Sequence, residues 1–332
     1  MKMFKLAALS AIFALGTLQV VQAAGLQLIE VPQDSRGPAI TGAVWSPCAD
    51  SPAAVKVGSF DMKAVMNCPI VGSRHPLVVV SHGAGGSLGN YHELAELLAD
   101  KGFIVAAINH PLDSGQSKIR NPGDIASMIQ RPMDISRLID FLFYNWPAGR
   151  AIDPAHIGFV GFSRGAFTGL ALAGANPEWK YLLNNCPVYP GNRFCEQIRS
   201  GPISPMVHDA RIKAAVIADS PAGPLFTQAA LSGVSIPLLY WASERGGDGV
   251  SPDDGPMIVK NLPVKAEFHV APNSGHFSFL PPCTPEFAAL IADDEPELCT
   301  DKAGFDRAAF HRQLNTEILG FLSNHLIEAN RP

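Results

Sequence analysis

The sequence predicts an α/β protein: a mostly parallel central sheet of about eight strands with helices on both faces. Three observations carry this. Short apolar runs alternate with helix-like segments along the whole chain, which is the rhythm of βα units around a buried parallel sheet. Gly161-Phe162-Ser163-Arg164-Gly165 stands between a strand-like run, His156-Ile157-Gly158-Phe159-Val160, and a small-residue helix-like run from Ala166 to Ala173. The chain has 332 residues, 47% of them hydrophobic, and no repeat or low-complexity stretch divides it, so one large core is expected.

The first 23 residues stand apart. Lys2 and Lys5 precede an apolar run from Leu6 to Val21, and Val21-Gln22-Ala23 offers small residues for cleavage. This is the order of a secretory signal peptide, predicting a soluble, exported single domain over 24–332, periplasmic or secreted. An uncleaved anchor is the alternative, but the run falls short of the roughly 20 residues a span needs. No later segment is apolar enough for stable membrane insertion. The net charge of −5, or −7 once Lys2 and Lys5 are removed, argues against nucleic acid as a partner.

Strands are expected at 26–31, 39–45, 77–81, 104–109, 156–162, 214–219, 237–242 and 266–271. Between them, 91–101 reads as a helix with Leu94, Leu97 and Leu98 on one face. In 132–146, Ile135, Leu138, Ile139, Leu142 and Trp146 recur at helical spacing, with Pro132 at the expected first helical position. The last amphipathic segment, 306–327, turns Phe310, Leu314, Ile318 and Phe321 inward. Two stretches break the rhythm: an insertion at about 177–209, and residues 277–305. Either reads as a wall over a site or as surface decoration.

Six cysteines in an exported chain point to disulfides, and the sequence offers three local couples: Cys48–Cys68, Cys186–Cys195 and Cys283–Cys299.

The chemistry centres on Ser163. A strand-to-helix turn this tight leaves no room for side chains at Gly161 and Gly165, and it presents the hydroxyl at a helix N-terminus. A serine needs a base, and the base an orienting acid. Of ten histidines, His276 in Asn273-Ser274-Gly275-His276-Phe277 lies just past the last expected strand, at the same sheet edge. His110 ends a strand at that edge and is a candidate pocket residue. Asp248, in Gly246-Gly247-Asp248-Gly249, is the first choice of acid, because its glycines let the loop fold back. Asp219, ending a strand, is the alternative, and Asp253 and Asp254 lie further along. The acidic cluster 248–254 lacks the spacing of a calcium loop, so no metal is expected. The oxyanion would be held by the backbone N–H of Arg164 and of Ala84, the latter in Ser81-His82-Gly83-Ala84-Gly85-Gly86, whose Gly83 and Gly85 leave the backbone open. Neither G-K-[ST] nor G-x-G-x-x-G is present, which argues against nucleotide binding.

Together these residues resemble the α/β-hydrolase fold. Within it they are similar to exported bacterial proteins classed as predicted dienelactone hydrolases, related to plasma-type platelet-activating-factor acetylhydrolases. The likeness is carried by Pro76 to Gly83, Asn109-His110-Pro111, Asp134 to Asp140, the Ser163 elbow, Gly275-His276-Phe277 and the tail from Cys299 to His311. It implies a serine hydrolase of small-molecule or lipid esters, with no cofactor. Dienelactone hydrolases proper use a cysteine nucleophile, so serine here does not imply lactone hydrolysis. The acetylhydrolase relatives favour Asp219 as the acid, and the broader hydrolase pattern favours Asp248. Arg164 sets a cation beside the nucleophile, to contact an acidic substrate group or extend into solvent. A lipase, phospholipase or polyester hydrolase is the neighbouring reading. A catalytically silent hydrolase fold used for binding is the reading of another class.

Overall fold

A computed structural model describes residues 23–121, 123–186 and 193–327. The expected leader lies outside the described residues except for Ala23. Among the described residues, a ten-stranded sheet runs in the order β10-β9-β8-β7-β5-β6-β2-β1-β4-β3. The strands are β1 Ala23–Val31, β2 Ile40–Cys48, β3 Ala53–Val57, β4 Phe60–Met66, β5 His75–Ser81, β6 Ile104–Ile108, β7 Ile152–Phe162, β8 Ile212–Ala218, β9 Leu238–Ser243 and β10 Glu267–Ala271. Strands β5 to β10 pair in parallel, β2 joins β6 antiparallel, and β1 joins β2 antiparallel.

Two strands exceed the eight expected. β3 and β4 form a hairpin in which Val57 pairs with Phe60 across Gly58, whose φ is +60°. Their residues alternate, with Met62 and Ala64 buried and Asp61 and Lys63 exposed. That is the pattern of a one-faced antiparallel pair, not the continuous apolar run of a buried parallel strand.

The helices are α1 His92–Asp100, α2 Ile125–Tyr144, α3 Arg164–Leu172, α4 Arg193–Ser200, α5 Gln228–Leu231, α6 Asp254–Asn261, α7 Pro285–Leu290 and α8 Arg307–Leu326. On one face Leu94 and Leu98 of α1 join Phe310, Leu314 and Ile318 of α8 in a core under Val78, Val160 and Val216. On the other, Ile135, Leu138 and Leu142 of α2 pack with Phe167 and Leu170 of α3 under Val79, Phe159 and Ile217. The helix expected from Pro132 in fact starts at Ile125, capped by Asp124 Oδ1 on the N–H of Ala126 (2.9 Å), so Pro132 is interior rather than at the first position. It lacks the N–H that would reach the Met128 carbonyl, but burial of the helix face outweighs one missing bond.

All three local cysteine couples are disulfides. The insertion leans on α2 and α3: Trp179 packs on Phe167 of α3, and Arg193 and Gln197 of α4 hold Asp124 at the start of α2. Residues 277–305 anchor the chain after His276, where Asp301 accepts from Ser278 Oγ (2.7 Å) and from Arg307. Both segments are therefore built into the site's surroundings.

Candidate active site

The parallel block has its switch point at β5, from which β6 lies to one side and β7 to the other. Loops leaving the C-terminal ends of strands on either side of such a point diverge and leave a crevice. Ser163 follows β7, the glycine loop follows β5, Asp219 follows β8 and the His276 loop follows β10, so all four gather at one edge.

Ser163 has φ 55° and ψ −120°, a conformation seldom adopted by a side-chain-bearing residue, and it caps the N-terminus of α3. The flanking glycines explain how the turn closes. A Cβ at Gly165 would stand 1.9 Å from the Ser81 carbonyl oxygen, and one at Gly161 would stand 2.2 Å from the Gly165 carbonyl oxygen. The Ser163 N–H donates to the carbonyl of Ala218 (2.9 Å), tying the elbow to the end of β8.

His276 Nε2 lies 3.0 Å from Ser163 Oγ, and its Nδ1 lies 2.7 Å from Asp219 Oδ2. All three are buried, Ser163 the least at 7% exposed. Phe162 stacks on the imidazole with ring centroids 4.6 Å apart, and the His276 N–H donates to the Gly246 carbonyl (2.7 Å). Asp219 accepts further from the Ser243 N–H at Oδ1 (2.7 Å) and the Ser243 hydroxyl at Oδ2 (2.8 Å).

The carboxylate on the imidazole is thus Asp219, the alternative, and not Asp248. Asp248 is exposed at the tip of a tight turn closed by reciprocal Gly247 and Val250 backbone bonds, with Asp248 at φ 47° and Gly249 at φ 77°. Asp-Gly with both residues at positive φ is turn chemistry of the I′ kind. The glycines that suggested a loop folding back serve the turn and the Gly246 contact to His276. Asp253 is also exposed, whereas Asp254 is buried and accepts from the N–H groups of Gly223 (2.8 Å) and Ser251 (2.9 Å).

The glycine loop reaches the elbow: a Cβ on Gly83 would lie 3.3 Å from Ser163 Cβ. Ala84 follows it and is exposed. A Cβ on Gly85, at φ 66°, would meet the Arg120 guanidinium at 3.0 Å. Arg164 opens α3, where helix N–H groups point outward. Its side chain is ion-paired with Asp113 (3.1 Å). His110 does not line a pocket; it is fully buried, with Nδ1 on Asp134 (3.0 Å) and Nε2 on Ser81 Oγ (2.9 Å). Burial pushes the Asp134 carboxyl up to about 7.

Sequence reasoning passed over Ser243, Phe162, Asp113 and Arg131. Two carried a signal. Ser243 is the polar residue ending an apolar strand at the catalytic edge, and Arg131 falls on the apolar stripe of Met128, Ile135 and Leu138.

Residues 76–178 match the family model described as alpha/beta hydrolase fold. "Putative esterase NocK" of Nocardia uniformis subsp. tsuyamanensis is 27% identical over 124 residues, covering 36% of this chain and 35% of that protein. The chain therefore spans about a third of the length of the curated relative it matches. Among solved structures, a ferulic acid esterase from Streptomyces cinnamoneus superposes with TM-score 0.59 at 19% identity, over 96% of this chain and 95% of that one. A puromycin-hydrolyzing peptidase of Mycobacterium tuberculosis gives TM-score 0.57 at 13% identity, over 91% of this chain and 39% of that one. These matches carry the α/β-hydrolase fold, not the narrower dienelactone hydrolase or acetylhydrolase group.

Proposed function

We propose that the protein is a serine carboxylic ester hydrolase acting through an acyl-enzyme on small-molecule esters. The observation that carries this reading is the hydrogen-bonded line from Ser163 Oγ through His276 to Asp219, set on a strained elbow. Ser163 Oγ attacks the ester carbonyl while His276 Nε2 takes its proton. Asp219 keeps the other imidazole proton on Nδ1 and stabilises the imidazolium that forms. The N–H groups of Arg164 and Ala84 receive the oxyanion, His276 returns its proton to the leaving alcohol, and water deacylates the enzyme by the reverse use of His276.

Export belongs to the same proposal. The leader-like sequence 1–23 and the three disulfides support an oxidising compartment, and no helix among the described residues is long and apolar enough to cross a membrane.

Intact mass after incubation with a fluorophosphonate, followed by peptide mapping, tests the chemistry. One adduct on Ser163, absent from Ser163→Ala, is expected. Folded, disulfide-bonded protein that takes no adduct and cleaves no ester would overturn the reading in favour of a silent binding fold.

A further inference from the structure

We propose that Asp113, together with Arg131, is a positioning residue that aligns both halves of the oxyanion site. The inference rests on the assignment of Ser163 as nucleophile. Asp113 lies on the loop after β6 and is fully buried, and it touches both halves at once. Its backbone carbonyl accepts the N–H of Gly85 (3.0 Å), the residue after Ala84. Its Oδ1 accepts from Arg164 Nη1 (3.1 Å), on the other donor residue. Its Oδ2 accepts from Arg131 Nη1 (2.6 Å).

Arg131 completes the frame. Its Nη2 donates to the His82 carbonyl and to Ser81 Oγ, and its Nε donates to Thr168 Oγ1 (3.2 Å). Thr168 in turn donates to the Arg164 carbonyl (2.8 Å). One guanidinium therefore spans from the glycine loop to the first turn of α3. The peptide joining Gly83 to Ala84 is pinned from its other side. The His82 ring accepts the His110 N–H at Nε2 (3.2 Å), which leaves the proton on Nδ1 to donate to the Gly83 carbonyl (2.6 Å). That peptide is planar, so fixing its oxygen fixes the direction of the Ala84 N–H.

Burial works against an Asp113 carboxylate, but Arg131 and Arg164 beside it hold its pKa below the ordinary value. Burial also holds His82 well below the ordinary histidine value, so the latch is a neutral imidazole. Burying such charges costs several kcal/mol per ion before pairing, and an apolar cluster would fill the space at less cost. What the ion bridge supplies is direction. Oxyanion donors act only when aimed at where charge develops, and they must be held there before the reaction.

The test uses the full-length mature protein with Asp113→Asn, Arg131→Lys and Arg164→Met. Arg164→Met keeps the backbone donor and alters a partly exposed side chain, so it folds even if the buried variants do not. The readouts are kcat and KM for p-nitrophenyl butyrate, and inhibition by an aryl trifluoromethyl ketone, which forms a tetrahedral adduct with the serine. The expected result is a roughly 10–100-fold fall in kcat, part of the effect of losing one donor outright. KM should stay within about twofold, and ketone affinity should fall in step with kcat/KM. Wild-type kcat/KM in Arg164→Met and in any folded Asp113 variant would overturn the proposal. A fall in kcat with unchanged ketone affinity would overturn it too. A wild-type protein that neither hydrolyses the ester nor takes a fluorophosphonate would instead show that the Ser163 reading had failed.

Discussion

Ser243 gives both its backbone N–H and its hydroxyl to the carboxylate of Asp219, at 2.7 Å and 2.8 Å. The Gly246 N–H donates to the same hydroxyl oxygen (3.1 Å), so the serine proton is directed at Asp219. Oδ2 therefore receives Ser243 and His276 together, and Oδ1 is held by backbone. The carboxylate has no freedom to turn away from the imidazole. Ser243→Ala removes one of these bonds and is expected to lower stability by about 1.5–3 kcal/mol, the range for a hydrogen bond to a charged group. It should lower kcat roughly tenfold, equivalent to about 1.4 kcal/mol of barrier. Urea unfolding alongside ester kinetics checks both, and unchanged kcat would mean that the backbone N–H alone suffices.

Asp219→Asn tests the acid itself. Asparagine keeps the shape but cannot stabilise an imidazolium or enforce the proton on Nδ1. A fall in kcat of roughly 10⁴-fold is expected, as when a triad aspartate is neutralised. Asp248→Asn changes an exposed turn residue that still tolerates positive φ, so kcat should be unaltered. Steady-state kinetics of the two variants side by side decides the matter, and comparable losses would remove Asp219 from the triad.

Glycines of different local geometry should respond oppositely to one added carbon. At Gly165 the Cβ would stand 1.9 Å from the Ser81 carbonyl oxygen and 3.0 Å from that of His82. The elbow must open, so Gly165→Ala is expected to cost about 1–3 kcal/mol or more and to abolish turnover. Gly320 lies exposed in α8, with nothing within 4 Å of a Cβ. Gly320→Ala should stabilise by about 0.5–1 kcal/mol, through the helix propensity glycine lacks. Thermal melts of the two variants check the contrast, and a destabilised Gly320→Ala would contradict the open surface.

The sheet, the elbow and His276 were legible because each is encoded locally: apolar runs for parallel strands, Gly161 and Gly165 around Ser163, a histidine just past β10. The β3–β4 hairpin escaped because alternation over five to seven residues is a weak signal beside the buried strands. The acid was ambiguous for a definite reason. Asp219 and Asp248 both follow strands that end at the catalytic edge, and what separates them is Ser243, which clamps the first, and an Asp-Gly turn, which carries the second outward. Asp113 was out of reach, and the place of Arg131 on an apolar stripe marked burial without its partner, because their pairing is a contact across 18 residues of chain.

Two buried groups should give stability opposite dependences on pH. His311 is buried with Nε2 on the Ser278 carbonyl (3.1 Å), and burial lowers it from 6.5 to about 4. The folded state then binds fewer protons than the unfolded one between those values, so stability present above pH 6.5 is lost as pH falls towards 4. Burial raises Asp134 from 3.8 to about 7. The folded state there binds more protons, so its contribution is fully present below pH 3.8 and is lost as pH rises through 7. In the native protein the two slopes, each up to about 1.4 kcal/mol per pH unit, oppose one another across the acidic range. Urea unfolding from pH 4.5 to 7.5 separates them. Relative to wild type, His311→Gln should gain stability as pH falls, and Asp134→Asn should gain as pH rises. Differences that stay flat with pH would show that neither group is penalised by burial.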